Sequence, residues 1–516
     1  MALMLLAGAG YAMYLKQQQQ AQQDATPLDP AIDLSPEAGK VGVDFLPFEL
    51  NSSVLTTSLT TITFFQGDYR TIQDALARRV EAILQANPFL GGWLAHKPGD
   101  EQFKLWYDPK GTSRAPNIYT CLEPGEVPLK RSTPYSQYND LAGDFSVKVP
   151  IATKIINQNH PLWKVTLIPD CVEHYERFAL VVSISHLLGD GFTYYQLYHM
   201  LLADPGSSKL SDSATVVQAL NPIRHADYSD RLVNYLGKEE AMYMQKINTN
   251  LVDKLLTKLQ QPRQERQRET MLFTISNSWL RTQMERERQR RLACDQAETV
   301  DATTEEIVLT WWYQISQADV GLYPKQLRYD LDVLSAWDAG NYNSPIPYTP
   351  RDYATPQLLH DSILQGRRCG TTEDGSPTSL PMIAGRSFAV GVDWRQLAVR
   401  PGDFPYLGDG SFDIREDLHI PLFTGADLTA LPDKLAIMIL FAAQQKSGQI
   451  GAFVVAPSDI CQRCMDSGIV DQDMKSSLMV EMVNRRGSII DLQISDAQYA
   501  ELMNSMANIK VDLDPE

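Results

Sequence analysis

Residues 178–191 carry an apolar, β-branched run into a histidine and turn at once: Phe-Ala-Leu-Val-Val-Ser-Ile-Ser-His186-Leu-Leu-Gly-Asp190-Gly191. An unperturbed imidazole, with a pKa of ~6.5, is neutral at pH 7 and can act as a base. At a strand end such a group can take a proton from a hydroxyl or amine and hand it to a leaving group. Asp190 can hydrogen-bond away from the site and pin the turn, while Gly191 lets the backbone bend where a Cβ would clash. A lone histidine beside an apolar strand has a plainer reading as a packed or surface residue. Its place at a strand-to-helix junction, with Asp-Gly behind it, favours chemistry. No His-x-x-His or His-x-x-x-His spacing occurs, so no metal site is expected.

The elements that must position these residues follow from periodicity. Residues 178–184 read as a buried strand; after the turn, Tyr194, Leu197, Tyr198 and Leu201 recur at helical spacing. Upstream, the Thr-rich stretch 54–65 reads as strand, and Ile72, Leu76, Val80 and Ile83 share one helical face that closes at Asn87-Pro88. A strand over 162–167 feeds the histidine strand, 204–230 is loop-rich, and 235–259 has helical spacing. The polar, Arg-rich stretch 260–270 reads as a crossover between two domains. Beyond it come a strand near 271–275 and an Arg-rich helix over 279–292, read as a solvated face. Thr303-x-x-Glu306 is a capping box opening a helix striped by Val308, Trp311, Trp312 and Ile315. Strands are expected at 329–334 and 387–394, a hairpin over 435–456 and a helix over 459–474.

At 516 residues the chain can bury two sizeable cores. Its net charge of −17 argues against nucleic acid held by bulk electrostatics. Six scattered cysteines fit a reducing intracellular compartment, and Cys461-Gln-Arg-Cys464 reads as a pair of plain thiols. Residues 1–15 are apolar and uncharged, short of the ~20 residues of a spanning helix. They are expected to contact a membrane or to target the protein to an organelle such as the plastid or the endoplasmic reticulum; a hydrophobic tail is the alternative. The Gln-rich stretch 17–39 behind them reads as a flexible linker.

The motif His186-Leu-Leu-Gly-Asp190-Gly191 resembles the HxxxDG signature of the coenzyme A-dependent acyltransferase superfamily, with a chloramphenicol acetyltransferase-like fold. Ser185 stands where double-histidine members carry His, so the chain is most similar to the BAHD-type enzymes. Gly340-Asn341 resembles that family's Gly-Asn pair, although no arginine precedes it and Leu334 stands near that place. Asp403-Phe404 matches only the start of the family's DFGWG motif, which leaves Asp403 a structural turn residue.

The resemblance implies an α/β (α+β) fold of two similar domains, each a mainly antiparallel mixed sheet with helices, and an active-site channel between them. It divides the chain into an apolar N-terminal segment and linker (1–40), an N-terminal domain (41–259), a crossover (260–270), a C-terminal domain (271–474) and an extension (475–516). It implies a monomeric acyltransferase that moves an acyl group from acyl-CoA, a co-substrate and not a resident cofactor, to a small hydrophobic acceptor. His186 would be the general base, and Asp190 and Gly191 would shape its loop. A non-catalytic binding or assembly subunit and a carrier-dependent condensation enzyme are the alternatives. Removing residues 1–26 is expected to shift the protein from membrane to soluble fractions with melting temperature and turnover unchanged. Fractionation and a thermal melt check this.

Overall fold

The computed structural model describes residues 27–471, apart from positions within 36–37, 53–57, 98–101, 132–145, 203–216, 245–267, 294–301, 373–377, 384, 396–413, 423–433 and 445–448. The apolar N-terminal run, most of the crossover and the C-terminal extension lie outside the described residues, as does Asp403. No described helix is long and apolar enough to cross a membrane.

The N-terminal half supplies β1 (Val41–Val43), α1 (Pro47–Ser52), β2 (Leu59–Gln66), α2 (Gln73–Ala86), β3 (Trp93–Ala95), β4 (Lys104–Tyr107), β5 (Tyr119–Cys121), β6 (Trp163–Pro169), β7 (Arg177–Ile184), α3 (Gly191–Leu202) and α4 (Tyr228–Leu236). The C-terminal half supplies β8 (Arg268–Thr274), α5 (Asn277–Ala293), α6 (Thr304–Ser316), β9 (Val320–Gln326), β10 (Asn343–Tyr348), α7 (Pro356–Gln365), β11 (Phe388–Asp393), β12 (Arg415–Pro421), β13 (Leu435–Gln444), β14 (Gln449–Pro457) and α8 (Ser458–Asp466). Two mixed, mainly antiparallel sheets carry the molecule: β12-β2-β7-β6-β5 and β10-β9-β11-β13-β14-β8. Only β5–β6, β11–β13 and β11–β9 pair parallel within them. A small third sheet, β1-β4-β3, lies alongside.

β7 is buried on both faces from Phe178 to Ile184, which explains why it reads as an unbroken apolar run instead of alternating. Phe65 and Phe178 are opposed in the β2–β7 register and stack at 5.1 Å. Thr61 and Thr63 of β2 face α3. Thr61 Oγ1 lies 2.6 Å from Tyr194 Oη, and Thr63 Oγ1 lies 2.5 Å from Tyr198 Oη. Residues i, i+2 on a strand thus meet residues i, i+4 on a helix, fixing α3 against the sheet.

β12 belongs to the C-terminal half of the sequence yet pairs antiparallel with β2, Ile420 opposite Ile62. The expected C-terminal domain over 271–474 therefore gives one strand to the other sheet. Leu418, Ile420 and Leu422 are buried in the first core, and burial of that apolar surface holds the strand there.

Other expectations are corrected in detail. The linker assigned to 17–39 is packed from Leu28 onward. Ile32 and Leu34 are buried against Trp93, Ala95 and Ala115, and Asp29 and Asp33 cap tight turns two residues on. Residues 329–334 form turns, not a strand. The strand there is β9, with Gly321 and Pro324 inside it, residues that demote a strand in a sequence reading. Pro324 is tolerated because β11 pairs only with Val320, Gly321 and Leu322, so no partner on that side needs its missing N–H. The helix expected over 459–474 stops at Asp466, where Gly468 takes φ +75°. The capping box forms as read, Thr303 and Glu306 bonding reciprocally at the start of α6. Cys461 and Cys464 are buried free thiols, Cys464 pushed up to about 12 by burial.

Replacing Ile420 by Ala is expected to destabilise the protein by ~2–5 kcal/mol and to speed hydrogen exchange in β2. Acceleration confined to the second sheet would contradict the strand's place.

Candidate active site

β7 ends at Ile184, and Ser185 N–H still donates to Leu162 O at 2.7 Å, so the strand delivers His186 from a fixed edge. The turn closes with Leu188 N–H on Ser185 O at 2.9 Å. Between Phe178 and Asp190, His186 is the one residue that is not buried. Among the described residues no hydrogen bond engages its imidazole.

Asp190 sits at the N-cap of α3 and is 1% exposed. Its Oδ1 accepts from Thr193 N–H at 3.1 Å, the usual capping geometry. Its Oδ2 accepts from Arg328 Nη1 at 2.7 Å and from Tyr342 N–H at 3.1 Å. Burial opposes the charge on this carboxyl. The Arg328 charge, its hydrogen bond and those from the Thr193 and Tyr342 N–H groups outweigh that penalty and hold the pKa below its ordinary value. Asp190 therefore points away from the histidine and into the junction between the two halves.

The close approach in the turn belongs to Gly189, where a Cβ would come 2.5 Å from Thr193 Cβ. At Gly191, φ lies outside the left-handed region and a Cβ would meet Leu397 Cδ1 at 3.1 Å, so its glycine answers to packing by a movable side chain more than to backbone bending.

Arg328 replaces the expectation that no arginine precedes Gly340-Asn341. It lies two residues past the end of β9, 2% exposed, and ahead of the stretch read as strand. Its guanidinium donates to Asp190, to Thr193 Oγ1 (3.0 Å), to Asp338 O (3.0 Å) and to Gly340 O (2.9 Å). Phe192 and Tyr342 flank it, with ring centroids 4.8 and 5.1 Å from Cζ. The Gly340-Asn341 pair is brought to the same turn: Gly340 O accepts from Asp190 N–H, and Asn341 Nδ2 donates to His186 O at 2.7 Å.

Sequence reasoning missed Glu49 and Arg224, which join this cluster from distant segments. Arg224 Nη2 donates to Leu187 O at 2.6 Å and Nε to Glu49 Oε2 at 3.0 Å. Nothing in their local sequence marks them, apart from Arg224 being a charge in a loop beside apolar Ile223 and Leu220. A second buried acidic group, remote in sequence, lies where α6 starts. Burial and then Asp393 push Glu305 up to about 8, and Tyr323 Oη donates to it at 3.0 Å.

The profile of the wax ester synthase/diacylglycerol acyltransferase catalytic domain matches residues 147–304, which include the histidine turn. The chain carries the fold of the coenzyme A-dependent acyltransferases. F. sporotrichioides TRI101, solved with coenzyme A and T-2, is 13% identical, with 85% of this chain and 98% of that one covered at a TM-score of 0.50. F. graminearum TRI101 with coenzyme A and T-2 mycotoxin is 10% identical, with 85% and 99% covered at 0.51. The same enzyme with coenzyme A and deoxynivalenol is 11% identical, with 85% and 98% covered at 0.50. No curated protein matches the sequence.

Removing one partner from a buried pair leaves the other charge uncompensated, so Asp190→Ala is expected to lose ~3–5 kcal/mol. Asp190→Asn should lose less, keeping the shape with a weaker bond. Because the folded pKa of Asp190 lies below the ordinary 3.8, its stabilisation is present above that value and is lost as pH falls through the folded pKa. Melting temperatures from pH 7 to pH 2 should therefore converge for the native chain and Asp190→Asn at the acid end.

Proposed function

We propose that the protein transfers an acyl group from acyl-CoA to the hydroxyl of a hydrophobic alcohol, with His186 as general base. The observation that carries this reading is His186 itself: the single solvent-reaching residue between Phe178 and Asp190, its imidazole bonded to none of the described residues and its backbone held on both sides. A side chain kept for packing would be covered, and one kept for structure would be bonded.

In the reaction the imidazole removes the proton of the acceptor hydroxyl as its oxygen attacks the thioester carbonyl. The C–O bond forms, the C–S bond breaks as the tetrahedral intermediate collapses, and the imidazolium returns its proton to the coenzyme A thiolate. Coenzyme A enters and leaves as co-substrate. Asp190, buried and paired with Arg328, takes no part in proton transfer and holds the turn. A hydrophobic acceptor is supported by the matched profile, whose name specifies wax esters and diacylglycerol.

Purified full-length protein is expected to release coenzyme A from palmitoyl-CoA in the presence of hexadecanol or diacylglycerol, with the ester seen by mass spectrometry. His186→Ala should lower the rate by ~10²–10⁴-fold, the usual worth of a general base. Its melting temperature should hold, because the lost side chain is partly exposed and unbonded. Undiminished turnover in that variant would make His186 a bystander.

A further inference from the structure

We infer that Glu49 is a positioning residue for His186, acting through Asn341 and Arg224 on the two carbonyls that follow the imidazole in the backbone. The inference rests on His186 being the base.

The direction of a side chain from Cα is set by the two planar peptide units on either side of it. At His186 the preceding unit is held by Leu188 N–H on Ser185 O at 2.9 Å. The following unit is held by Asn341 Nδ2 on His186 O at 2.7 Å. One residue further, Arg224 Nη2 holds Leu187 O at 2.6 Å. The Cα–Cβ bond of His186 is thus aimed from both sides, and two of the three donors come from outside the turn.

Both outside donors are organised by one carboxylate. Glu49 Oε1 accepts from Asn341 Nδ2 at 2.9 Å and from Asn341 N–H at 3.1 Å. Its Oε2 accepts from Arg224 Nε at 3.0 Å and from Leu46 N–H at 2.9 Å. Side-chain exposure is 0% for Glu49 and 4% for Arg224. A carboxylate only accepts hydrogen bonds, so it dictates which way the Asn341 amide faces. One amide hydrogen goes to Glu49 and the other to His186 O; a flipped amide would set oxygen against both. Arg224 is fixed in the same way, its Nη1 held by Pro222 O and Ala339 O at 2.8 Å. Among the described residues no hydrogen bond or ion pair joins Glu49 to the imidazole, and the bonds it makes to Asn341 and Arg224 reach the base through the backbone.

Glu49→Gln presents donors where the carboxylate accepted, freeing the Asn341 amide to turn. A misplacement on the order of 1 Å at the reacting group can lower turnover by ~10²-fold. Glu49→Gln is therefore expected to reduce kcat for palmitoyl-CoA and hexadecanol by about 10–10² while KM for palmitoyl-CoA holds. The deciding measurement is the double-variant cycle with His186→Ala. If Glu49 works through the base, Glu49→Gln/His186→Ala has the rate of His186→Ala alone, because the base it aims is gone. Losses that multiply in the double variant overturn the positioning role and leave the base assignment standing. An undiminished His186→Ala rate overturns both. Asn341→Ala runs the same cycle with the Glu49–Arg224 pair intact, and is read if Glu49→Gln does not fold. Loss of kcat absorbed by His186→Ala supports the inference there as well, and multiplied losses overturn it.

Discussion

The pair between Arg328 and Asp190 is the constraint on which the site depends. Both groups are almost wholly withdrawn from water, and burying two charges is unfavourable unless the rest of each group is bonded. That condition is met here. The guanidinium is spread over a carboxylate, a hydroxyl and two backbone carbonyls, and the carboxylate also takes two backbone N–H groups. Such a pair tolerates one geometry. Whichever way the two halves of the molecule approach, the turn carrying His186 is returned to the same place.

The neighbourhood of that pair is drawn from segments far apart in the chain. Glu49 comes from α1, the histidine turn from the end of β7, Arg224 from the loop before α4, and Arg328 and Asn341 from either side of the turns after β9. β12 adds a strand from the C-terminal half to the sheet that carries β7. The site therefore forms only when both halves are present and joined. Folding must bring together pairings that are remote in sequence, a topology that slows the closing steps.

Rigidity is graded across the turn. Leu187 and Leu188 are buried at 1% and 0%, Gly189 admits no Cβ, and both flanking peptide units of His186 are bonded. The imidazole alone is left at the surface of this packed frame. A chemical group held by its backbone and free at its tip can meet a substrate without first leaving another partner, which is the arrangement preorganisation requires.

The histidine turn was legible from sequence because its determinants are local. A β-branched run, a glycine-bounded turn and a helical stripe each lie within one window, and so do the capping box of α6 and the β13–β14 hairpin. The two mixed sheets followed from the resemblance that the motif carried. Tertiary structure decided what Asp190 pairs with, because Arg328 sits after a strand whose glycine and proline disguise it. It decided also that residues from Leu28 to Leu34 pack against Trp93, that β12 crosses to the other sheet, and that Arg224, bound to Glu49, reaches the backbone of the turn. A single charged residue has no periodicity to betray its partner. Only packing, in which a buried charge needs a partner, sets a glutamate from α1 behind the two donors that hold the carbonyls beside the histidine.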